Sequence, residues 1–194
     1  MLSGLLVEEP ELVDDANEAL LQIHRSTRRS LNVLDALVAL EGRTDGERLA
    51  KTTLSPELLA REAAASLVLT DSERRSLEIR RMPRLRGHPA LIRQLYSNLL
   101  ANAFKFRSPE RELRVICGYD EEARGWYVED NGIGVPASRG EEIFASGSRY
   151  KAERPGSGLG LYVVRWIVEA HGGRVWFEQP HESEGACLIF TVPD

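Results

Sequence analysis

Apolar residues change their spacing several times between residue 55 and the end of this 194-residue chain, and these changes limit the fold more than any other feature. Spacings of three and four residues predict helices, and short apolar runs predict strands. The predicted helices span residues 55–67, 88–106 and 159–170, and the predicted strands span residues 76–81, 113–119, 126–129, 174–178 and 186–192. Helices and strands do not alternate strictly, so we expect an α+β fold, a two-layer sandwich with helices on one face of a mixed sheet.

Residues 12–40 carry apolar side chains at steps of three and four, which predicts one long N-terminal helix with a narrow apolar stripe. A lone helix cannot bury such a stripe, so we expect a partner helix in another chain or in a missing segment. Packing onto the C-terminal domain of the same chain is the alternative. A polar break containing Gly42 and Gly46 follows, so we divide the chain into a helical segment, residues 1–46, and a C-terminal domain, residues 47–194.

The composition argues against several classes of function. The formal net charge is −5, so no general basic field attracts nucleic acid. No window of about 18 apolar residues occurs, so we expect no membrane contact by this chain. Cys117 and Cys187 match no metal-binding or redox spacing, and we interpret each as a small buried apolar residue in a strand. A reducing, cytoplasmic location is expected.

Two asparagines on the helix predicted over residues 88–106 form the first candidate site. Asn98 and Asn102 are four residues apart, so both amides project from one face, and Lys105 follows three residues later on the same side. Asparagine is a weak helix former, so this pair suggests a polar function, in which Lys105 offers a cation to phosphate. A solvated face with incidental amides explains this segment alone equally well.

Two glycine-containing segments follow. The strand that ends at Glu129 leads into Asp130, Gly132 and Gly134, which form either a simple turn or a pocket with a carboxylate and accessible backbone. Residues 156–161 read Gly-Ser-Gly-Leu-Gly-Leu and lead into a helix, where backbone N–H groups suit a phosphate. A glycine-rich loop alone is weak support, and the chain has neither the dinucleotide-binding fingerprint nor a Walker-type G-x-x-x-x-G-K-[ST] run.

The order of these segments resembles the GHKL ATP-binding fold, or Bergerat fold. Within that superfamily, the chain is similar to the catalytic domain of a bacterial sensor histidine kinase of the phytochrome-like type, from about Thr53 to Asp194. The resemblance identifies residues 98–106 as the N box, residues 130–134 as the G1 box, Phe144 as the F box and residues 156–161 as the G2 box. It also implies that residues 137–157 form a lid over the nucleotide.

The same resemblance implies ATP and Mg²⁺ as cofactors and gives each site residue a role. Asp130 would accept a hydrogen bond from the adenine amino group, and Asn102 would hold Mg²⁺ against the phosphates. The implied catalytic residues are Asn98, Asn102 and Lys105, and the further nucleotide contacts are Phe106, Gly132, Gly134, Arg149, Gly158, Leu159, Gly160 and Leu161. Arg149 would compensate phosphate charge, and core packing is the alternative role for Phe106.

Two features bear on the reaction. Branches of the superfamily that hydrolyse ATP carry a glutamate in place of Asn98, and an amide cannot take a proton from water, so we expect slow hydrolysis. A sensor kinase has its phosphoacceptor histidine, followed by an acidic residue, on the first helix of a hairpin, whereas the N-terminal helix here resembles the second. His24 lacks the acidic neighbour, so we interpret it as a surface or dimer-seam residue and expect no standard phosphoacceptor in this chain.

The leading prediction is therefore the ATP-binding catalytic core of a two-component histidine kinase. Its acceptor would be a histidine-bearing hairpin or phosphotransfer protein, and a response regulator receiver domain would receive the phosphoryl group. We also expect a homodimer formed through the N-terminal helix. A non-catalytic nucleotide-binding module of the same fold and a serine kinase of the anti-sigma-factor type are the alternatives.

Overall fold

A computed structural model describes residues 50–136, 142–145, 159–178, 180 and 184–193. The predicted N-terminal helix, His24 and the predicted lid apart from residues 142–145 lie outside the described residues. The described elements are β1 (Thr52–Leu54), α1 (Pro56–Ala65), α2 (Asp71–Arg75), β2 (Leu77–Ile79), β3 (Leu85–Gly87), α3 (Pro89–Lys105), β4 (Val115–Asp120), β5 (Gly125–Asp130), a 3-10 turn (Glu142–Phe144), α4 (Gly160–Ala170), β6 (Val175–Glu178) and β7 (Ala186–Phe190).

Five strands form the main sheet, in the order β2-β4-β5-β7-β6. β2 pairs with β4 in parallel, and the other neighbouring strands are antiparallel. β1 and β3 form a separate antiparallel pair. This mixed sheet, together with helices that pack on it, confirms the α+β fold predicted from the changes in apolar spacing.

The longest helix of the described residues, α3, is the centre of their helical layer, because it contacts α1, α4 and strands β4 and β5. Its buried residues follow the predicted spacing and are Leu91, Ile92, Leu95, Tyr96, Leu99, Leu100, Ala103 and Phe104. Tyr96 packs edge-on against Phe190 of β7, with ring centroids 5.8 Å apart. Phe106, predicted on this apolar side, instead follows the last helical residue and is half-buried, because the helix ends at Lys105.

A smaller apolar cluster lies on the opposite face of the sheet. Its buried members are Ile116, Tyr127, Cys187 and Ile189. Cys117, by contrast, alternates with Ile116 and lies on the helix-covered face. Both thiols are fully buried, and burial raises both pKa values, that of Cys117 to about 12. The predicted role of the cysteines as small buried apolar residues is confirmed.

Most predicted elements are present, and the helix boundaries have the expected chemistry. The Ser55 side chain accepts a hydrogen bond from the Leu58 N–H at the start of α1, and Gly172 has a φ of 82° just after α4. We did not predict β1, α2 and β3, because strands of three residues and a helix of five show no readable period. Within the described residues, no helix combines the length and apolarity needed to span a membrane.

His171 joins the end of α4 to the start of α3. Its Nδ1 donates to the Ile167 carbonyl at 2.7 Å, and its Nε2 accepts from the His88 backbone N–H at 3.0 Å. Only the neutral imidazole makes both bonds, because a protonated Nε2 has no lone pair. Burial lowers the pKa of His171, and the charges of Lys51 and His88 lower it further, although the bond to Ile167 acts in the opposite direction.

Acidification from about pH 7.5 to about pH 5.5 should lower the free energy of unfolding of the wild type more than that of His171→Gln. The unfolded chain takes up a proton near the ordinary histidine pKa of 6.5, whereas folded His171 resists protonation, so stability falls as the pH drops through that value. Urea unfolding at both pH values measures the difference. Equal losses in the two proteins would contradict the role assigned to His171.

Candidate functional site

The two asparagines of α3 lie next to the first residue of α4. A Cβ atom placed on Gly160 would be 3.8 Å from both the Asn102 Nδ2 and the Asn98 Oδ1 atoms. The fold therefore brings the asparagine pair, singled out on one predicted helix, together with the glycine-rich start of another. This juxtaposition favours a polar function for the asparagine face over incidental solvation.

Asn98 has an amide donor without an acceptor. Its Nδ2 atom is buried and makes no hydrogen bond in the described part of the chain. An unpaired buried donor costs about 1–3 kcal/mol, and native structures contain few of them. The unpaired Asn98 Nδ2 donor therefore suits a bound group that carries oxygen acceptors, such as a phosphate.

The start of α4 adds a favourable environment for an anion. Leu159 is the N-cap residue, no side chain among the described residues forms a capping hydrogen bond there, and Gly160 and Leu161 lie in the first turn. Backbone N–H groups and the helix dipole attract negative charge at this end of a helix. Gly158, predicted to contribute another N–H group, lies outside the described residues, as does Arg149.

Lys105 and Phe106 lie at the end of α3. The Lys105 Nζ atom is 4.5 Å from the centroid of the Phe106 ring, a cation–π geometry. The Phe106 carbonyl accepts a hydrogen bond from the Ile133 N–H at 3.0 Å. Phe106 thus connects α3 to the loop that follows β5, residues 131–135, which we call the G1 loop.

Asp130 is the last residue of β5, and backbone groups from two segments hold its carboxylate. The Gly132 N–H donates to its Oδ1 atom at 2.8 Å, and the Ala186 N–H at the start of β7 is a second donor. Burial raises the pKa of Asp130 to about 6, and the charge of Glu129 adds to this, whereas the two N–H donors act in the opposite direction. The carboxylate is therefore fixed in orientation and poorly solvated, which suits recognition of a hydrogen-bond donor.

The glycines of the G1 loop allow close approach of protein backbone. A Cβ on Gly132 would be 2.4 Å from the Phe106 carbonyl oxygen, and one on Gly134 would be 2.8 Å from the Gly185 carbonyl oxygen. Gly134 also has a φ of 69°, which favours glycine. The space that a side chain would fill at these positions belongs to Phe106 and Gly185, and the predicted nucleotide contacts of Gly132 and Gly134 stay a prediction.

Phe144 lies in the described part of the predicted lid, residues 142–145. It belongs to the 3-10 turn, is 2% exposed, and its ring centroid is 5.4 Å from that of Phe177 in β6. The 3-10 turn also contacts α4, the helix that carries Gly160. This part of the predicted lid is therefore packed against both β6 and α4.

Sequence reasoning missed the groups that surround Asp130 from the side of β7. Ala186 is the cross-strand partner of Asp130, and Gly185 approaches the Asp130 carbonyl so closely that it has no room for a side chain. Arg111 donates to the Gly132 carbonyl at 2.9 Å. Gly185, just before the strand predicted over residues 186–192, is a turn signal in the sequence. Its contact with Asp130, however, depends on the order of the strands in the sheet, which no local pattern shows.

A comparison with protein families decides the assignment. The family model described as histidine kinase-, DNA gyrase B- and HSP90-like ATPase matches residues 87–194, more than half of the chain. The chain belongs to this ATPase family. The matched region contains α3, the G1 loop, the 3-10 turn and α4, so the GHKL resemblance stated from the sequence is confirmed.

Relatives of this GHKL domain include histidine kinases. The chain is 36% identical over 113 residues to the methanogenesis regulatory histidine kinase FilI of Methanothrix harundinacea, covering 57% of the chain and 13% of FilI. It is 31% identical over 208 aligned residues to cyanobacterial phytochrome B of Nostoc sp., covering 99% of the chain and 26% of the phytochrome. The chain therefore spans a minor part of each relative.

A solved structure shares the fold. ShkA, in a full-length structure in complex with AMPPNP, matches with a TM-score of 0.58 at 22% identity, over 89% of this chain and 37% of ShkA. The match supports the fold of the GHKL domain.

The ionised form of Asp130 should destabilise the empty GHKL domain. The folded-state pKa of about 6 lies above the ordinary 3.8, so the folded chain binds a proton more readily, and this contribution to stability is lost as the pH rises through about 6. Between about pH 7 and about pH 5 the wild type should gain about 1 kcal/mol in free energy of unfolding relative to Asp130→Asn. Urea unfolding without nucleotide tests this prediction. It is wrong if the free energies of unfolding of the wild type and of Asp130→Asn change in parallel with pH.

Proposed function

We propose that this GHKL domain binds Mg-ATP and transfers the γ-phosphoryl group to a histidine of another segment or another protein. The observation that carries the proposal is the placement of an amide-bearing helix face beside the start of α4, with the partly buried Asp130 carboxylate in the same family-matched region. The similarity to FilI, a histidine kinase, supports the reaction class.

Asp130 would recognise the base. Its carboxylate accepts hydrogen bonds from the Gly132 and Ala186 N–H groups and has lone pairs left for one more donor. The amino group of adenine is such a donor. Guanine and hypoxanthine carry a carbonyl oxygen at the same position, so two hydrogen-bond acceptors would face and repel each other. Adenine is therefore the base that this carboxylate selects.

The polar face of α3 and the start of α4 would bind the phosphates. The Asn98 amide donor and the N–H groups at Gly160 and Leu161 would face phosphate oxygens, and Lys105 would add a cation. The described residues contain no cluster of acidic or histidine side chains that would hold a metal ion. The Asn102 amide oxygen would hold Mg²⁺ together with the phosphates, and the ion would neutralise charge that develops during transfer.

Transfer would need little chemistry from the domain itself. A histidine ring nitrogen of the acceptor attacks the γ-phosphorus, the bond to the bridging β–γ oxygen breaks, and ADP leaves. Asn98 has no basic atom with which to activate water, so hydrolysis should be slow. Positioning and charge stabilisation supply most of the catalysis in phosphoryl transfer, which this site would offer once an acceptor is presented.

The proposal includes the partners of such a kinase. The acceptor would be a histidine-bearing hairpin or a phosphotransfer protein, and the phosphoryl group would then pass to a response regulator receiver domain. A homodimer formed through the N-terminal segment, residues 1–46, and a cytoplasmic location belong to the same proposal.

Replacing Asp130 with asparagine should weaken ATP binding about ten- to a hundredfold, because a hydrogen bond to a charged group is lost and an amide donor can face the adenine amino group. The wild type should also lose affinity below about pH 6, where Asp130 takes up a proton. Titration calorimetry measures both effects. Asp120→Asn is the matched control, because Asp120 also accepts a backbone N–H bond in a turn, from Ala123 at 2.7 Å, but outside the site. Unchanged affinity in Asp130→Asn would place the base elsewhere.

Incubation with γ-labelled ATP should label an added histidine-bearing hairpin at an acid-labile position, and the chain alone should release little labelled phosphate. Asn102→Ala should reduce the label on the hairpin at least about tenfold, because it removes the side chain proposed to hold the metal. ATP binding without any label would support the non-catalytic module instead. Acid-stable label would indicate a serine kinase.

A further inference from the structure

Arg111 contacts two segments that are far apart in the sequence, at Gly132 and at Glu184. It lies in the connection between α3 and β4, and its guanidinium makes two contacts in different directions. The Nη2 group donates to the Gly132 carbonyl at 2.9 Å, and the Nη1 group donates to the Glu184 carboxylate at 2.7 Å. A planar guanidinium fixes the angle between two such contacts, which a lysine ammonium does not.

The two segments that Arg111 contacts are the ones that hold Asp130. Gly132, whose carbonyl binds Arg111, donates its own N–H to the Asp130 Oδ1 atom at 2.8 Å. Glu184 precedes Gly185 and Ala186, and the Ala186 N–H is the second donor to the Asp130 carboxylate. Each arm of the guanidinium therefore reaches a segment that supplies one hydrogen bond to Asp130.

The ion pair by itself does not explain this arrangement. The Glu184 side chain is 90% exposed, and an exposed pair contributes little to stability because water and salt screen it. The contact with Gly132 is different, since the Gly132 residue is buried and tightly enclosed by the Phe106 carbonyl and the Asp130 carboxylate. A shift of the Gly132 peptide would change the donor that faces Asp130.

We propose that Arg111 is a positioning residue of the nucleotide site, whose guanidinium holds the Gly132 and Glu184 segments so that Asp130 presents its remaining lone pairs to the amino group of adenine. This inference rests on the proposed function. It adds a residue outside the predicted N, G1, F and G2 boxes, and it makes adenine selectivity depend on a side chain that does not touch the base.

The test compares ATP with inosine triphosphate, which carries a carbonyl oxygen in place of the amino group. The wild type should prefer ATP. Arg111→Ala should reduce this preference about five- to tenfold, mainly by weakening ATP, because the bond that loses its alignment is one to a charged acceptor. Arg111→Lys keeps the charge but reaches only one of the two segments, so it should resemble Arg111→Ala.

Two further variants separate positioning from stability. Glu184→Gln keeps an acceptor for Arg111 and should reduce the preference less than Arg111→Ala does. Arg93→Ala is the control. Arg93 is an exposed arginine whose Nη1 atom lies 3.8 Å from the Glu62 carboxylate, it contacts neither the Gly132 nor the Glu184 segment in any described hydrogen bond, and its removal should leave the preference unchanged. Thermal unfolding of each variant establishes that the folded protein is being titrated.

The outcomes are distinguishable. If the wild type prefers ATP but Arg111→Ala shows the same ratio of dissociation constants, whether both nucleotides bind as before or both weaken equally, the positioning role is wrong. If the wild type does not bind ATP, the proposed function fails first. A reduced preference in Arg111→Ala and Arg111→Lys, with Arg93→Ala unchanged, supports the role of Arg111.

Discussion

The site depends on one partly buried carboxylate that accepts hydrogen bonds from backbone groups. Asp130 ends β5, and its two N–H donors come from the turn that follows it and from the neighbouring strand β7. Both donor segments need a glycine. Gly132 lies against the end of α3 and Gly185 lies against β5, each too close for a side chain. The position of the carboxylate is therefore fixed by sheet pairing and loop packing together.

One helix serves both the core and the site. The buried residues of α3 fill the space between the sheet and the other helices, and its polar face carries Asn98 and Asn102. Because Tyr96 packs against Phe190 and Gly160 lies beside the asparagines, the same helix fixes the site relative to β7 and α4. A substitution on the apolar face of α3 would thus also shift the two amides, because close packing in the interior prevents the change from staying local.

Much of this arrangement could be predicted from the sequence, where the signals are local. α3 and α4 have long apolar periods, and Asp130 stands at the end of an apolar run. The sequence also contains the capping box of α2, in which Thr70 and Glu73 hydrogen-bond to each other's backbone. No apolar pattern follows it, so the spacing did not predict a helix there. The contacts of Ala186 and Arg111 with the Asp130 segment could not be predicted, because they depend on strand order and on a loop path that local spacing does not encode.

The site is polar before any ligand binds, and this has an energetic consequence. The ionised, partly desolvated Asp130 carboxylate and the unpaired Asn98 donor each act against folding at neutral pH. Under the proposed function, nucleotide at about a hundred times its dissociation constant would stabilise the fold by about 2.7 kcal/mol, which is comparable to these costs. The apolar core, centred on α3, must therefore offset these unfavourable contributions in the empty site. In return, the amides and the carboxylate are already arranged before ATP binds, so binding does not have to include the free-energy cost of ordering them.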